Sequence, residues 1–213
     1  AAGTIVLSVV AASPSDAGLE GAAPEWVFEA TAETAAWVSR FFEARDRFRT
    51  STTAELTPLL HQRFLREGRR SVDRVFAYDH QARNVRTGDS AAAARDATAL
   101  ALPLAAHARD SLAALWYLRA LPLAGGTTFE MPINEAGRNM KAVITVGPPE
   151  TVDALGGPQA AYRVEPRLTT RVQRRQAVEA TIWISADARR VPLAADVTAG
   201  FGRVRLKLVD YRQ

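Results

Sequence analysis

Asp110-Ser-Leu-Ala-Ala-Leu-Trp-Tyr-Leu-Arg119 runs through Ala120-Leu-Pro-Leu-Ala-Gly-Gly126 into Thr127-Thr-Phe-Glu-Met-Pro-Ile133. The short side-chain oxygen of Asp110 or Ser111 suits an N-cap, because it accepts the free N–H groups of a first turn. Leu112, Leu115 and Trp116 recur at i, i+3 and i+4, while Tyr117, Leu118 and Leu121 widen the apolar arc. The spacing predicts a helix over Leu112–Leu121 that is apolar around most of its circumference and therefore needs a curved surface around it. Arg119 complements the negative C-terminal end, and Pro122 drives Leu121 out of the helical region. A strand follows at once.

Downstream of that helix, alternation with a period of two dominates. Phe129, Met131 and Ile133 lead to a hairpin turn at Asn134-Glu-Ala-Gly-Arg138, where Gly137 can take positive φ. Met140, Ala142, Ile144 and Val146 return, and Gly147-Pro-Pro149 is read as a break, with a loop from Asp153 to Pro158. Tyr162, Val164, Pro166 and Leu168 alternate with Arg163, Glu165, Arg167 and Thr169. Val178, Ala180, Ile182 and Ile184 then form an inner face, followed by a turn at Ala186-Asp-Ala-Arg-Arg190. Val191, Leu193, Ala195 and Val197 follow, and Val204, Leu206 and Leu208 close the series between Arg203, Arg205 and Lys207. Repeated alternation over hairpins predicts an antiparallel sheet with one buried and one wet face.

Upstream, Thr4-Ile-Val-Leu-Ser-Val-Val10 reads as a β-branched strand and Ala11 to Pro24 as a mobile loop. Glu25 to Val38 reads as a strand whose alanine-rich end, into Ser39-Arg-Phe-Phe42, also suits a helix. Asp46 to Thr53 is a further strand. Leu59 to Glu67 and Val72 to Tyr78 make a hairpin around Gly68, with Phe64, Val72, Phe76 and Tyr78 on its apolar side. Asp79 to Arg83 turns into a short strand, Asn84 to Arg86. Gly88 to Ala106 reads as a loop with a short strand near Thr98 to Leu102.

With 213 residues, the chain is expected to form a single β-rich domain. Cysteine is absent, which excludes a disulfide framework, a thiol nucleophile and Cys-ligated metal. No apolar run approaches the roughly 18 residues of a spanning helix, and Ala1-Ala-Gly-Thr4 has neither the basic nor the apolar region of an export signal. The net charge is +4. Lys141 and Lys207 are the lysines and arginine supplies the rest, in an alanine-rich chain without a nucleic-acid-binding motif. The arginines are read as a solvated surface, and no nucleic-acid partner is expected.

Leu115-Trp-Tyr-Leu-Arg-Ala-Leu-Pro-Leu123, Val164-Glu-Pro166, Ile182-Trp-Ile-Ser-Ala-Asp-Ala-Arg-Arg-Val-Pro192 and Leu208-Val-Asp-Tyr-Arg212 resemble a bacterial exported family, the domain of unknown function 3108. Arg63-Phe-Leu-Arg-Glu-Gly-Arg-Arg70, Asp73-Arg-Val-Phe-Ala-Tyr-Asp79 and Ala2-Gly-Thr-Ile-Val-Leu-Ser-Val9 match its middle and opening hairpins. The resemblance implies a periplasmic or secreted protein with a curved antiparallel sheet or half-barrel, similar to lipoprotein carriers. One main helix would pack on its concave face. The resemblance brings no activity and no catalytic residues. The family usually has one more strand before the opening hairpin, so Thr4–Val10 is expected at a sheet edge, either open to an envelope protein partner or covered by the loop that follows.

His61, His80 and His107 lack metal-ligand spacing, and no nucleophile elbow, P-loop or dinucleotide fingerprint occurs, so neither catalysis, metal nor cofactor is expected. Asp73 beside Arg74, and Asp46 between Arg45 and Arg47, read as neighbouring surface ion pairs. Leu112, Leu115, Trp116 and Tyr117 are candidates for lining an apolar ligand pocket. Arg63, Arg66, Arg69, Arg70 and Arg74 are candidates for holding an anionic headgroup or acidic partner. Trp183, between Ile182 and Ile184, reads as an interface, an exposed aromatic spot or a second packing layer. The function expected is that of a non-catalytic envelope protein that binds or carries an apolar, lipid-like ligand; the alternative is an assembly module acting through sheet edges and exposed apolar residues.

Overall fold

The structure is a computed structural model that describes residues 3–36, 43–169, 179–199 and 202–212. The chain is mainly β, in two antiparallel sheets whose strands follow chain order. The first sheet contains β1 (Gly3–Val9), β2 (Trp26–Thr34), β3 (Arg45–Thr52), β4 (Pro58–Glu67), β5 (Arg70–Asp79), β6 (Asn84–Gly88) and β7 (Leu100–Pro103). A helix, α1 (Ala91–Arg95), interrupts the series before β7, and α2 (Ser111–Ala120) follows it. The second sheet contains β8 (Thr128–Glu135), β9 (Arg138–Ala154), β10 (Gly157–Thr169), β11 (Glu179–Ser185), β12 (Pro192–Ala199) and β13 (Gly202–Lys207). Two compact units result, one of residues 1–116 and 133–139, the other of residues 117–132 and 140–213.

In the first unit, each face of the sheet carries an apolar cluster. Phe76, Tyr78, Val85, Leu104 and Ala108 form a cluster on one face. Leu60, Val75, Ala77 and Ala94 form one on the other, where α1 lies. Alanines favour a helix where nothing else decides, and the Ser90 hydroxyl caps α1 by accepting the Ala93 N–H at 3.2 Å. The loop reading of that segment missed this. Phe64 also belongs elsewhere than expected. Register pairs Phe64 with Asp73 and Leu65 with Val72, so Leu65, not Phe64, shares the face of Val72 and Phe76.

The segment 11–24 is pinned rather than free. Asp16 is fully buried and takes both Arg49 Nε at 2.6 Å and Arg49 Nη2 at 2.7 Å, while the Ser13 N–H and hydroxyl each donate to it at 2.7 Å. Burial opposes its ionisation, yet the bonds from Arg49 and Ser13 outweigh that and hold its pKa below the ordinary 3.8. The expected pairs between neighbours are absent as well, because consecutive strand residues point to opposite faces. Asp73 instead accepts Arg66 at 2.5 and 3.0 Å, and Asp46 accepts the Arg66 backbone N–H at 3.0 Å.

In the second unit, β9 runs through Gly147-Pro148-Pro149, where a break was expected. Register shifts between Tyr162 and Val164 on the partner strand. A bulge of this kind accommodates proline, which has no N–H for the ladder. The expected loop from Asp153 to Pro158 is a tight hairpin instead, with Leu155 and Gly156 at φ 52° and 81° between paired Ala154 and Gly157. Ala142, Ile144 and Val146 are buried along β9, as are Ile184 and Leu193 further on. Trp183 packs partly buried against Ala154, Ala161 and Leu193, a second packing layer, and donates its indole N–H to Glu150. The readings placed on Ser39–Phe42 and Val178 lie outside the described residues.

Candidate functional site

Alternation on β4 and β5 builds the site. Register sets Leu65 opposite Val72, Arg63 opposite Arg74, and Glu67 opposite Arg70. Farther across the same face, Phe76 faces Thr87, Thr87 faces Leu100, and Val85 faces Leu102. The result is an open groove of about 350 Å³ lined by Leu65, Val72, Phe76, Leu100 and Leu102, with Arg63, Arg70 and Arg74 among its walls. Leu100 stands 64% exposed at the mouth.

The three arginines differ in what they already hold. Arg63 donates to Glu135 at 2.9 Å, and its guanidinium lies 5.9 Å from the Phe48 ring centroid. Arg70 donates to Glu67 at 3.2 Å. Arg74 is exposed and has no acidic partner among the described residues. Among the described residues, the apolar trough therefore carries one guanidinium, that of Arg74, without an ion-pair partner. That combination suits an anion attached to an apolar body, since guanidinium matches carboxylate and phosphate geometry.

Of the basic cluster expected to act together, Arg66 is on the opposite face, occupied by Asp73, and Arg69 is exposed at the hairpin turn. The apolar candidates lie elsewhere. Leu112 is buried, Leu115, Trp116 and Tyr117 are half-buried, and none of them lines the groove. The Trp116 ring stacks on Phe28 of β2 at 4.6 Å. Sequence reading missed Leu65, Leu100 and Leu102. Counting by twos from the paired hairpin arms would have found Leu65, but Leu100 and Leu102 depend on β6 lying between β5 and β7.

A buried polar chain also escaped notice. Asp110 Oδ1 accepts the N–H groups of Leu112 at 2.9 Å and Ala113 at 3.0 Å, and the Thr50 hydroxyl donates to the same oxygen at 3.0 Å. The His61 Nδ1 lies 2.8 Å from that hydroxyl. With its one proton directed to Asp110, Thr50 accepts from His61, so His61 carries its proton on Nδ1. This order is wrong for a nucleophile relay, in which histidine stands between the acid and the hydroxyl. All three residues are buried, and their work is to fix the start of α2. His80 is separate, its Nε2 3.0 Å from the Pro58 carbonyl oxygen, with its pKa lowered by burial.

The sequence profile of a family described as a protein of unknown function, DUF3108, matches residues 2–209. The chain belongs to the DUF3108 family. Among solved structures, this DUF3108 chain is similar to a crystal structure of a beta-barrel-like protein of domain of unknown function DUF1849 from Brucella abortus. The two share 10% identity at a TM-score of 0.63, over 97% of this chain and 86% of the other. At that identity the likeness concerns the fold alone. No curated protein matches. Among the described residues of the DUF3108 chain, no helix is long and apolar enough to cross a membrane.

Proposed function

We propose that this chain is a non-catalytic protein of the bacterial envelope or exterior. It would bind an amphiphile with an anionic head and an apolar tail in the groove on β4–β7. The observation that carries this reading is Arg74, a guanidinium without an acidic partner among the described residues, beside an apolar wall of Leu65, Val72, Phe76, Leu100 and Leu102. The groove volume, about 350 Å³, is at the small end of ligand sites, which start at roughly 300 Å³. It therefore suits one chain and not a bulky lipid. Burying the apolar tail supplies affinity, and the guanidinium selects the sign of the head.

Calorimetry with dodecanoate and with dodecyltrimethylammonium, both below their micellar range, tests this. Dodecanoate is expected to bind and the cation is not. Arg74→Glu and Leu100→Ser both alter exposed side chains and should leave the denaturation midpoint in place, while each weakens dodecanoate about tenfold. Equal binding of both amphiphiles, or wild-type affinity in both variants, would refute the reading. Fractionation of source cells checks the envelope location, and recovery only in the cytoplasm would refute that part.

A further inference from the structure

Among the described residues, β1 is the terminal strand of the first sheet and pairs with β2 on one side only. Its large side chains are exposed on both faces: Ile5 46%, Val6 53%, Leu7 40% and Val9 49%. Strand edges are ordinarily blunted by charge, proline or shortness. β7 is four residues long and ends in Pro103, and β13 carries Arg203, Arg205 and Lys207. β1 has none of these protections. It is seven residues long, with no ionisable side chain and no proline.

The backbone fixes which groups face outward. The Val10 N–H donates to the Val27 carbonyl at 2.9 Å. In an antiparallel ladder, alternate residues turn both backbone groups to the same neighbour. Thr4, Val6 and Ser8 therefore bond to β2, while Gly3, Ile5, Leu7 and Val9 turn their N–H and C=O groups away from it.

We infer that β1 pairs antiparallel with β1 of a second copy of this chain, on a twofold axis through Val6. The strand is self-complementary about that residue. Ile5 falls opposite the partner's Leu7, Thr4 opposite the partner's Ser8, and Gly3 opposite the partner's Val9. Outward-facing residues meet only outward-facing residues, giving about eight inter-chain hydrogen bonds. Opposed residues share a face, so Ile5 and Leu7 meet as a branched apolar pair and Thr4 and Ser8 as a hydroxyl pair, both favourable across strands. Ile5, Leu7 and Val9 lie on the face of Ala32, Ala30 and Phe28, and Trp26, 44% exposed, continues that row on β2. Charge does not oppose the contact. Glu33 and Glu29 stand beside Thr4 and Ser8 on β2, so across the new ladder they would be about 14 Å apart at the usual strand spacing. That exceeds the roughly 8 Å screening length at physiological salt. A twofold contact of this kind closes on itself and leaves the short strand β7 at each outer edge of the joined sheet.

A ladder of this length buries less than the roughly 1,200 Å² of a standard interface, so association is expected in the micromolar range. Sedimentation velocity over a concentration series should show one chain giving way to two. Val6→Lys places two like charges on the axis and should hold the protein at one chain per particle with an unchanged denaturation midpoint. The chain has no cysteine, which permits a test of register. Opposed residues without mutual hydrogen bonds lie about 4.5 Å apart at Cα, within disulfide range. Val6→Cys should cross-link to a dimer on mild oxidation, and Val9→Cys, which faces the partner's Gly3, should not. A single-chain mass at every concentration, or equal cross-linking at positions 6 and 9, would overturn the inference.

Discussion

Asp16→Asn keeps the shape of the side chain and removes its charge. In the wild type, Asp16 is fully buried beside an Arg49 side chain only 13% exposed. Breaking a buried pair by deleting one partner costs about 3–5 kcal/mol, because the other charge is left without compensation. Arg49 retains Glu29 at 3.2 Å and the Ala11 carbonyl at 3.2 Å, which places the expected cost lower, at about 2–3 kcal/mol. The pH dependence follows from the direction of the shift. The folded-state pKa of Asp16 lies below 3.8, so ionised Asp16 stabilises the fold above its unfolded value. That contribution is lost as pH falls through the folded-state value. Urea denaturation followed by tryptophan fluorescence should therefore show a wide gap between wild type and variant at neutral pH, closing below about pH 4. Hydrogen exchange should show residues 11–24 losing protection in the variant. A cost under about 0.5 kcal/mol, in the range of a surface pair, or a gap as wide in acid as at neutrality, would refute the pinning of this segment by Arg49.

Trp116→Ala removes the ring stacked on Phe28 and should cost about 3 kcal/mol, read from the shift in denaturation midpoint. Gly88→Ala would place a methyl group 2.6 Å from the Ala94 nitrogen and 2.8 Å from the Ala93 Cβ. It should displace α1 and cost about 1–3 kcal/mol, with amide exchange across α1 rising; unchanged exchange there would contradict the packing. Arg163, Arg167 and Arg205 are exposed, with Arg163 and Arg205 paired to Glu165 and Asp196. A mobility-shift assay with duplex or single-stranded DNA at ~150 mM salt should show non-specific binding only. The side chain of Arg203, grouped with them by alternation, lies outside the described residues.

Local rules reached far into this chain because both sheets are meanders, in which each strand pairs with its sequence neighbours. Period-two alternation made β8 to β13 legible, and the Asp110 cap and Pro122 stop bounded α2 to within a residue. Among the described residues, β1 is the terminal strand of its sheet. Three of the five arginines singled out, Arg63, Arg70 and Arg74, do line the groove.

What the sequence by itself determined was therefore the type of most elements, most hairpin partners, and the neutral, branched character of β1. Tertiary structure decided parity, neighbours and compensation. Whether Phe64 or Leu65 enters the apolar face depends on a register sum that neither strand contains alone. Burial of Asp16 depends on Arg49, thirty-three positions away. The tolerance of Pro148 and Pro149 depends on a bulge that sets Gly147 and Pro148 against the single Arg163 of the opposite strand. Arg74 differs from Arg63, Arg66 and Arg70 only because acids from other positions reach those three. Periodicity and capping act within one turn or one strand and can be read along the chain, whereas the charge left over at a site is a sum over residues that only the fold brings within a few ångströms.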